Sequence, residues 1–268
     1  MSPHEYVHGY SDRENIRLMD QANTLTELLH SDTVYPPGSR VLEAGCGVGA
    51  QTVILTRNSP QAEFVAIDIS PDSLQQAQKR VRAQARTNVT FEQADLFNLP
   101  FNAESFDHVF VCFVLEHLSQ PAEALACLKE ILKPGGTLTA IEGDHGSTYF
   151  HPDSDEAQQA IQCLVDLQAE IGGDALIGRR LYPLMQKAGY REVTASPRMV
   201  YVDASRPQLV EGFTRNTFTA MVKGVRNAAL QSGRIDAVTW ERGIAALERT
   251  SEADGTFCYT FFKGLGKK

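Results

Sequence analysis

One stretch constrains this chain more than any other: Val41-Leu42-Glu43-Ala44-Gly45-Cys46-Gly47-Val48-Gly49. It reads as a strand, an acid, and then glycines at alternate positions, with a helix predicted to start near Ala50. Glycines so spaced let the backbone turn sharply and approach a ligand with no side chain in the way. Glu43, at the strand end, suits a ligand with a cationic or hydroxyl-bearing part. The dinucleotide fingerprint G-x-G-x-x-G differs, because its last glycine comes one step later and its helix N-terminus faces a pyrophosphate. Here an acid stands where a pyrophosphate would be repelled.

The following segments extend the pattern. Residues 63–70, EFVAIDIS, read as an apolar strand ending in Asp68, 19 residues after Gly49. That spacing fits an acid at the tip of a second strand, bonded to ribose hydroxyls; the alternative is a helix-capping or loop acid. Ser70-Pro71 should start a helix, serine as the cap and proline at its first position. Leu74, Ala77 and Val81 give that helix one apolar face. Residues 89–97, VTFEQADLF, read as a third strand ending in Asp95 and Leu96. Leu99-Pro100-Phe101, Ser105-Phe106-Asp107, HVFVCFVLEHL (108–118) and ILKPGGTLTAIE (131–142) follow, the last breaking at Pro134-Gly135-Gly136 into a fifth strand.

In this order the motifs resemble the class I S-adenosylmethionine (SAM) methyltransferases, in particular their ubiquinone/menaquinone-biosynthesis-like, small-molecule branch. The resemblance implies an α/β fold: a Rossmann-like doubly wound sheet, mostly parallel with an antiparallel last strand, plus an N-terminal helix and a helical insert before the last strand. It implies SAM as cofactor, with contacts from Glu43, Gly45, Cys46, Gly47, Gly49, Asp68, Ile69, Asp95, Leu96 and Cys112. Asp95 would bond the adenine amino group and its neighbours would flank the ring. In relatives the segment before the first helix folds over the cofactor; Tyr6, His8 and Tyr10 stand there, with a frayed tail as the alternative.

The rest of the chain is read as one domain, residues 1–268. Residues 1–38 hold an N-terminal helix over 11–30, opened by the capping box Ser11-Asp12-Arg13-Glu14. Residues 39–203 form the core, whose alternating strands and helices imply a parallel sheet with ligands at the carboxyl ends of its strands. Within it, residues 155–188 read as helix and 192–203 as a sixth strand. Residues 204–252 are a helical insert, either a lid over the acceptor or a decoration packed on the sheet. Residues 253–268 hold the last strand, with Phe257, Tyr259 and Phe261 alternating against Cys258, Thr260 and Phe262.

Methyl transfer is an in-line displacement in which the protein mainly positions the reactants, and a base helps where the acceptor carries a proton. Three catalytic candidates follow. Glu116 and His117 occupy the E-H-L position after the fourth strand, where a structural histidine capping the next helix is the alternative. His145 lies in the polar segment IEGDHGSTYFHP after the fifth strand, with Glu142 and Asp144, as a base or acceptor-orienting group; Gly143 and Gly146 would turn these side chains inward. Tyr149 and His151 are weaker candidates. Arg179, Arg180 and Arg198 can clamp an acidic acceptor or form surface ion pairs.

Composition narrows the partners. A formal net charge of −8 with no basic patch argues against nucleic acid. No apolar run approaches a membrane span, and the first residues lack a signal-peptide core. The 5 scattered cysteines, without metal-ligand spacing, point to reduced thiols of a cytoplasmic protein and to no metal. The expected activity is therefore transfer of a methyl group from SAM to O, N or C of a small-molecule acceptor. The alternatives are an RNA or protein methyltransferase, or a non-catalytic SAM-binding regulator. The sequence leaves the oligomeric state open.

Overall fold

The computed structural model describes residue 22 and residues 24–268. Tyr6, His8, Tyr10 and the proposed capping box at Ser11 lie outside the described residues. Residues 24–30 are helical (α1). Seven strands form a sheet in the order β3-β2-β1-β4-β5-β7-β6, mostly parallel with an antiparallel last strand. They are β1 (Arg40–Ala44), β2 (Glu63–Asp68), β3 (Val89–Gln93), β4 (Phe106–Cys112), β5 (Leu132–His151), β6 (Arg191–Asp203) and β7 (Thr256–Lys267). The predicted α/β class and sheet are thus observed.

Between them run α2 (Ala50–Asn58), α3 (Pro71–Ala83), α4 (Pro121–Glu130), α5 (Asp155–Glu170) and α6 (Leu181–Lys187). α3 starts as read from the sequence: the Ser70 hydroxyl accepts the Ser73 N–H, Pro71 is at the first turn, and Leu74, Ala77 and Val81 are buried. Such a cap contributes about 1 kcal/mol.

The chain divides into two compact units. One comprises Thr26–Glu142, Ile177–Arg198 and Phe262–Lys268; the other includes Gly143–Leu176 and Met199–Phe261. In the first, alternate residues of β1, β4 and β5 (Leu42, Ala44, Val109, Val111, Leu138, Ala140) pack with Leu125 and Leu128 of α4 and Leu181, Leu184 and Met185 of α6. Each such buried large apolar side chain contributes about 1.5–3 kcal/mol.

In the second unit the insert is helical. α7 (Pro207–Leu209), a π-helical stretch (Val210–Thr219) and α8 (Ala220–Gly224) run on continuously, followed by α9 (Arg226–Gln231) and α10 (Ala237–Arg249). Phe213, Phe218 and Trp240 are almost fully buried. The rings of Phe213 and Phe218 pack on Phe257 and Tyr259 of β7.

Two expectations are corrected. Residues 155–188 are not one helix: a break at residues 171–176, with Gly172 at φ +90°, separates α5 from the short 3-10 turn Ile177–Arg180 that leads into α6. Positive φ cannot continue a right-handed helix. The fifth strand does not end at Glu142 but runs on to His151. Gly143, Asp144 and Gly146 are poor strand formers locally, and pairing and burial override that preference.

His30, at the end of α1, sits fully buried against Phe110 with ring centroids 5.8 Å apart. Burial first, then the Lys263 charge, lowers its pKa to about 4. The unfolded chain takes up this proton below pH 6.5, the folded chain only near 4. This contribution to stability is therefore complete above pH 6.5 and falls by about 3 kcal/mol toward pH 4. Urea unfolding of His30→Leu across that range should lack this acid slope; a slope equal to that of the parent would refute the assignment.

Candidate functional site

The glycine turn is built by three left-handed residues: φ is +73° at Gly45, +51° at Gly47 and +78° at Gly49. The N–H groups of Gly45 and Cys46 both donate to the Ile67 carbonyl, at 2.9 and 2.8 Å, and the Gly49 N–H donates to the Cys46 carbonyl. A Cβ on Gly45 would lie 2.5 Å from Val114 Cγ2, and one on Gly49 2.9 Å from the α3 backbone at Ala77. A Cβ on Gly47 would meet nothing within 4 Å, so this side of the loop is open to a ligand.

Asp68 fastens that loop. Its Oδ2 accepts the Gly47 N–H at 2.8 Å and its Oδ1 the Ser70 N–H at 2.9 Å. Burial raises its pKa, and these backbone donors oppose the rise. A carboxylate offers about four acceptor sites, so capacity for a diol is left. Beside it Ile69 is 37% exposed. The Ala94 N–H donates to the Asp68 carbonyl, and the Gln93 amide to the Ile69 carbonyl, which brings Asp95 and Leu96 to the same edge. Asp95 stands two residues beyond β3 rather than in it, with its Oδ1 accepting the Phe97 N–H. An exposed apolar side chain near two carboxylates suits a ribose and a base.

Glu43, near the end of β1, is 2% exposed. Burial raises its pKa to about 8; Thr52 of α2 opposes this and Asp68 adds to it. Its Oε2 has no hydrogen-bond partner among the described residues. A buried acceptor oxygen of this kind suits a cationic group. Cys112, at the end of β4, is buried, and burial followed by Glu142 and Glu43 pushes its thiol pKa well up. It is a neutral wall, not a nucleophile. The predicted cofactor residues from Glu43 to Cys112 therefore fall in one compact unit.

Beyond β4 the chain turns through Phe113, at φ +57°, into the 3-10 turn Leu115–His117. Glu116 is buried, and His117 Nε2 lies 3.6 Å from its Oε1. His117 does not cap α4, whose N-cap position is Gln120 without a side-chain bond. Glu142 belongs to the same group. Its Oε1 accepts the N–H of Val114 at 3.0 Å and of Leu115 at 2.8 Å.

His145 is placed differently from expectation. It lies inside β5, is 4% exposed, and its Nδ1 pairs with the Tyr259 hydroxyl at 2.7 Å. Phe218 packs edge-on to its ring. Gly143 makes room for that hydroxyl, since a Cβ there would lie 2.3 Å from it. No bend turns this segment out of the strand. Tyr259 was read only as an apolar strand position. The signal in the sequence was its hydroxyl, because a tyrosine facing a core needs a polar partner. His145 and Tyr259 belong to the second unit, Glu116 and His117 to the first.

The remaining candidates stay outside this chemistry. Arg198 is bound to Asp32, which also pairs with the buried Lys263. Arg179 and Arg180 are exposed, as are Tyr149 and His151. Arg80, read as part of a solvated basic face, instead reaches the Val48 carbonyl of the glycine turn.

Comparison with known proteins agrees with this geometry. A family model described as a methyltransferase domain matches residues 41–136. A malonyl-[acyl-carrier protein] O-methyltransferase from Herminiimonas arsenicoxydans is 26% identical over 230 residues, covering 84% of this chain and 79% of the relative. A demethylmenaquinone methyltransferase from Clavibacter sepedonicus is 33% identical over 132 residues, 49% of this chain and 52% of the relative. Among solved structures, phosphoethanolamine N-methyltransferase 2 of Haemonchus contortus, in complex with phosphomonomethylethanolamine and S-adenosylhomocysteine, overlays with a TM-score of 0.60 at 14% identity. That overlay covers 96% of this chain and 58% of the other, and it is a likeness of fold. The chain spans 54%, 34% and 46% of the length of the first three curated relatives it matches.

Proposed function

The chain belongs to the class I SAM-dependent methyltransferases, and from that premise we propose that it transfers a methyl group from SAM to a small-molecule acceptor. The observation that carries this reading is the open glycine turn strapped to Asp68 by the Gly47 N–H, with the buried acid Glu43 at its root. SAM supplies a methyl group on a positively charged sulfur, already activated for displacement by a lone pair of the acceptor. Asp68 would hold the ribose hydroxyls, with Ile69, Asp95 and Leu96 around the base and Glu43 facing the cationic amino-acid part. The Gly45, Cys46, Gly47 and Gly49 backbone leaves the room.

The acceptor gives up its proton as the new bond forms, and Glu116 with His117 is our choice for receiving it. His145, held by Tyr259, and the insert of residues 204–252 are proposed to shape acceptor recognition. The net charge of −8 and relatives named for malonyl-acyl carrier protein and demethylmenaquinone favour a small acceptor over RNA. The 5 cysteines, none in a disulfide, and the lack of any membrane-crossing helix among the described residues favour a cytoplasmic location.

Incubation with methyl-labelled SAM and a fractionated cell extract tests the proposal. Label in a small metabolite is expected. Label confined to RNA or protein would replace the acceptor class, and SAM binding with no labelled product would favour a regulator.

A further inference from the structure

The interior holds one polar contact that the transfer chemistry does not use. β4 and β5 pair as far as the Phe113 N–H, which donates to the Ile141 carbonyl at 2.9 Å. The next step is a left-handed residue at Phe113, φ +57°. A bulky aromatic in that region is an outlier that persists only where its surroundings hold it. The two N–H groups that follow, on Val114 and Leu115, have left the sheet ladder, and Leu115 is fully buried. Both donate to one oxygen, Glu142 Oε1. Without it they would be buried donors lacking their partner, a costly arrangement.

The consequence reaches the glycine turn. Val114 Cγ2 occupies the space beside Gly45 that a side chain there would need, 2.5 Å from an added Cβ. The same short turn carries Glu116 and His117. We infer that Glu142 is a positioning residue: by accepting the Val114 and Leu115 N–H groups it fixes the left-handed turn after β4, seats Val114 against Gly45, and so sets the shape of the loop that receives the cofactor. This inference rests on the proposed SAM site.

The role needs an acceptor oxygen, not a charge. Burial, with Glu116 as the largest charged neighbour, keeps the Glu142 carboxyl pKa well above the ordinary range. A neutral amide therefore mimics it closely.

The test uses S-adenosylhomocysteine as probe in calorimetry, with amide hydrogen exchange at Val114 and Leu115 as a readout independent of turnover. Glu142→Ala should weaken binding about tenfold or more and lose protection at both amides; Glu142→Gln should restore both to within about threefold of the parent. Val114→Ala, a milder change, should weaken binding about fivefold while Leu115 stays protected. Should Glu142→Ala fail to fold, Val114→Ala and Glu142→Gln decide. Parental affinity in Val114→Ala, or a Gln variant whose amides exchange as freely as an unpinned turn, overturns the inference. A parent protein that fails to bind S-adenosylhomocysteine overturns the proposed function instead, and amide protection alone then judges the pin.

Discussion

Gly49→Val should abolish cofactor binding and destabilise the fold by about 3–5 kcal/mol. Two effects add. Gly49 holds φ +78°, which any L-residue adopts at a cost of about 1–2 kcal/mol. An added Cβ would also press on the Cα and Cβ of Ala77, each 2.9 Å away, and backbone in the middle of α3 does not yield as a flexible side chain would. Either α3 or the turn must shift, and Asp68 precedes α3 by only the Ile69-Ser70 link. Two companions separate the causes. Gly38→Ala, at φ +76° with open space around it, should cost about 1 kcal/mol and leave binding intact. Gly47→Ala, also in open space, should fold nearly as well yet bind the cofactor weakly, because its methyl would occupy the ligand's side of the loop. Thermal unfolding with and without S-adenosylhomocysteine reads all three. A ligand-induced stabilisation surviving in Gly49→Val would remove the loop from the site.

Glu43→Gln should stabilise the ligand-free protein at pH 8 and weaken its hold on SAM. The unfolded chain releases this proton near pH 4.5, whereas the folded chain keeps it until about 8. Between those values the folded state binds more protons, so stability falls as pH rises, by on the order of 4 kcal/mol, and levels off above 8. The glutamine variant lacks this slope. A cationic ligand reverses the balance, since its charge favours the ionised carboxylate. SAM binding at pH 7 should then release close to one proton, and affinity should climb as pH approaches 8. Calorimetry in buffers of different ionisation enthalpy counts that proton. Equal proton release by parent and variant would show that Glu43 does not face the positive charge.

These two slopes also bear on the pH profile of the parent. Between about 4.5 and 6.5, His30 makes stability rise with pH while Glu43 makes it fall. Their contributions nearly cancel there, so single variants at His30 and Glu43 should each uncover a slope that the parent hides.

The first half of the chain was more legible than the second for a physical reason. The glycine turn, the Ser70-Pro71 helix start and the acid at Asp68 are local devices, each encoded within a few residues. The alternation of Phe257, Tyr259 and Phe261 likewise needs only a period of two, and all three are buried. What escaped depends on partners far along the chain. β5 continues through Asp144 and His145 because tertiary packing accepts residues that local preference would assign to a loop. Tyr259 finds His145 at a separation of 114 residues, and Glu142 finds Val114 at 28. Arg198 lies 166 residues from Asp32. The helix predicted over residues 155–188 missed its break because Gly172-Gly173 sits inside an otherwise apolar periodic pattern.

The π-helical stretch Val210–Thr219 has a consequence for how this chain tolerates change in length. Phe213 and Phe218, five apart, both face the aromatic side of β7, which an ordinary helix of 3.6 residues per turn would not allow so directly. The Thr217 hydroxyl, bonded to the Gly212 carbonyl five residues back, follows the same wide turn. The segment therefore stores one surplus residue in its circumference. Deleting a residue there would tighten the coil to regular bonding, but would rotate everything downstream by about 100°. Met221 and Val222 would swing out of the core they now fill. Length in this insert is thus set by phase: single-residue deletions should be among the least tolerated changes in the insert, while removal of whole turns preserves the facing of the aromatic side chains.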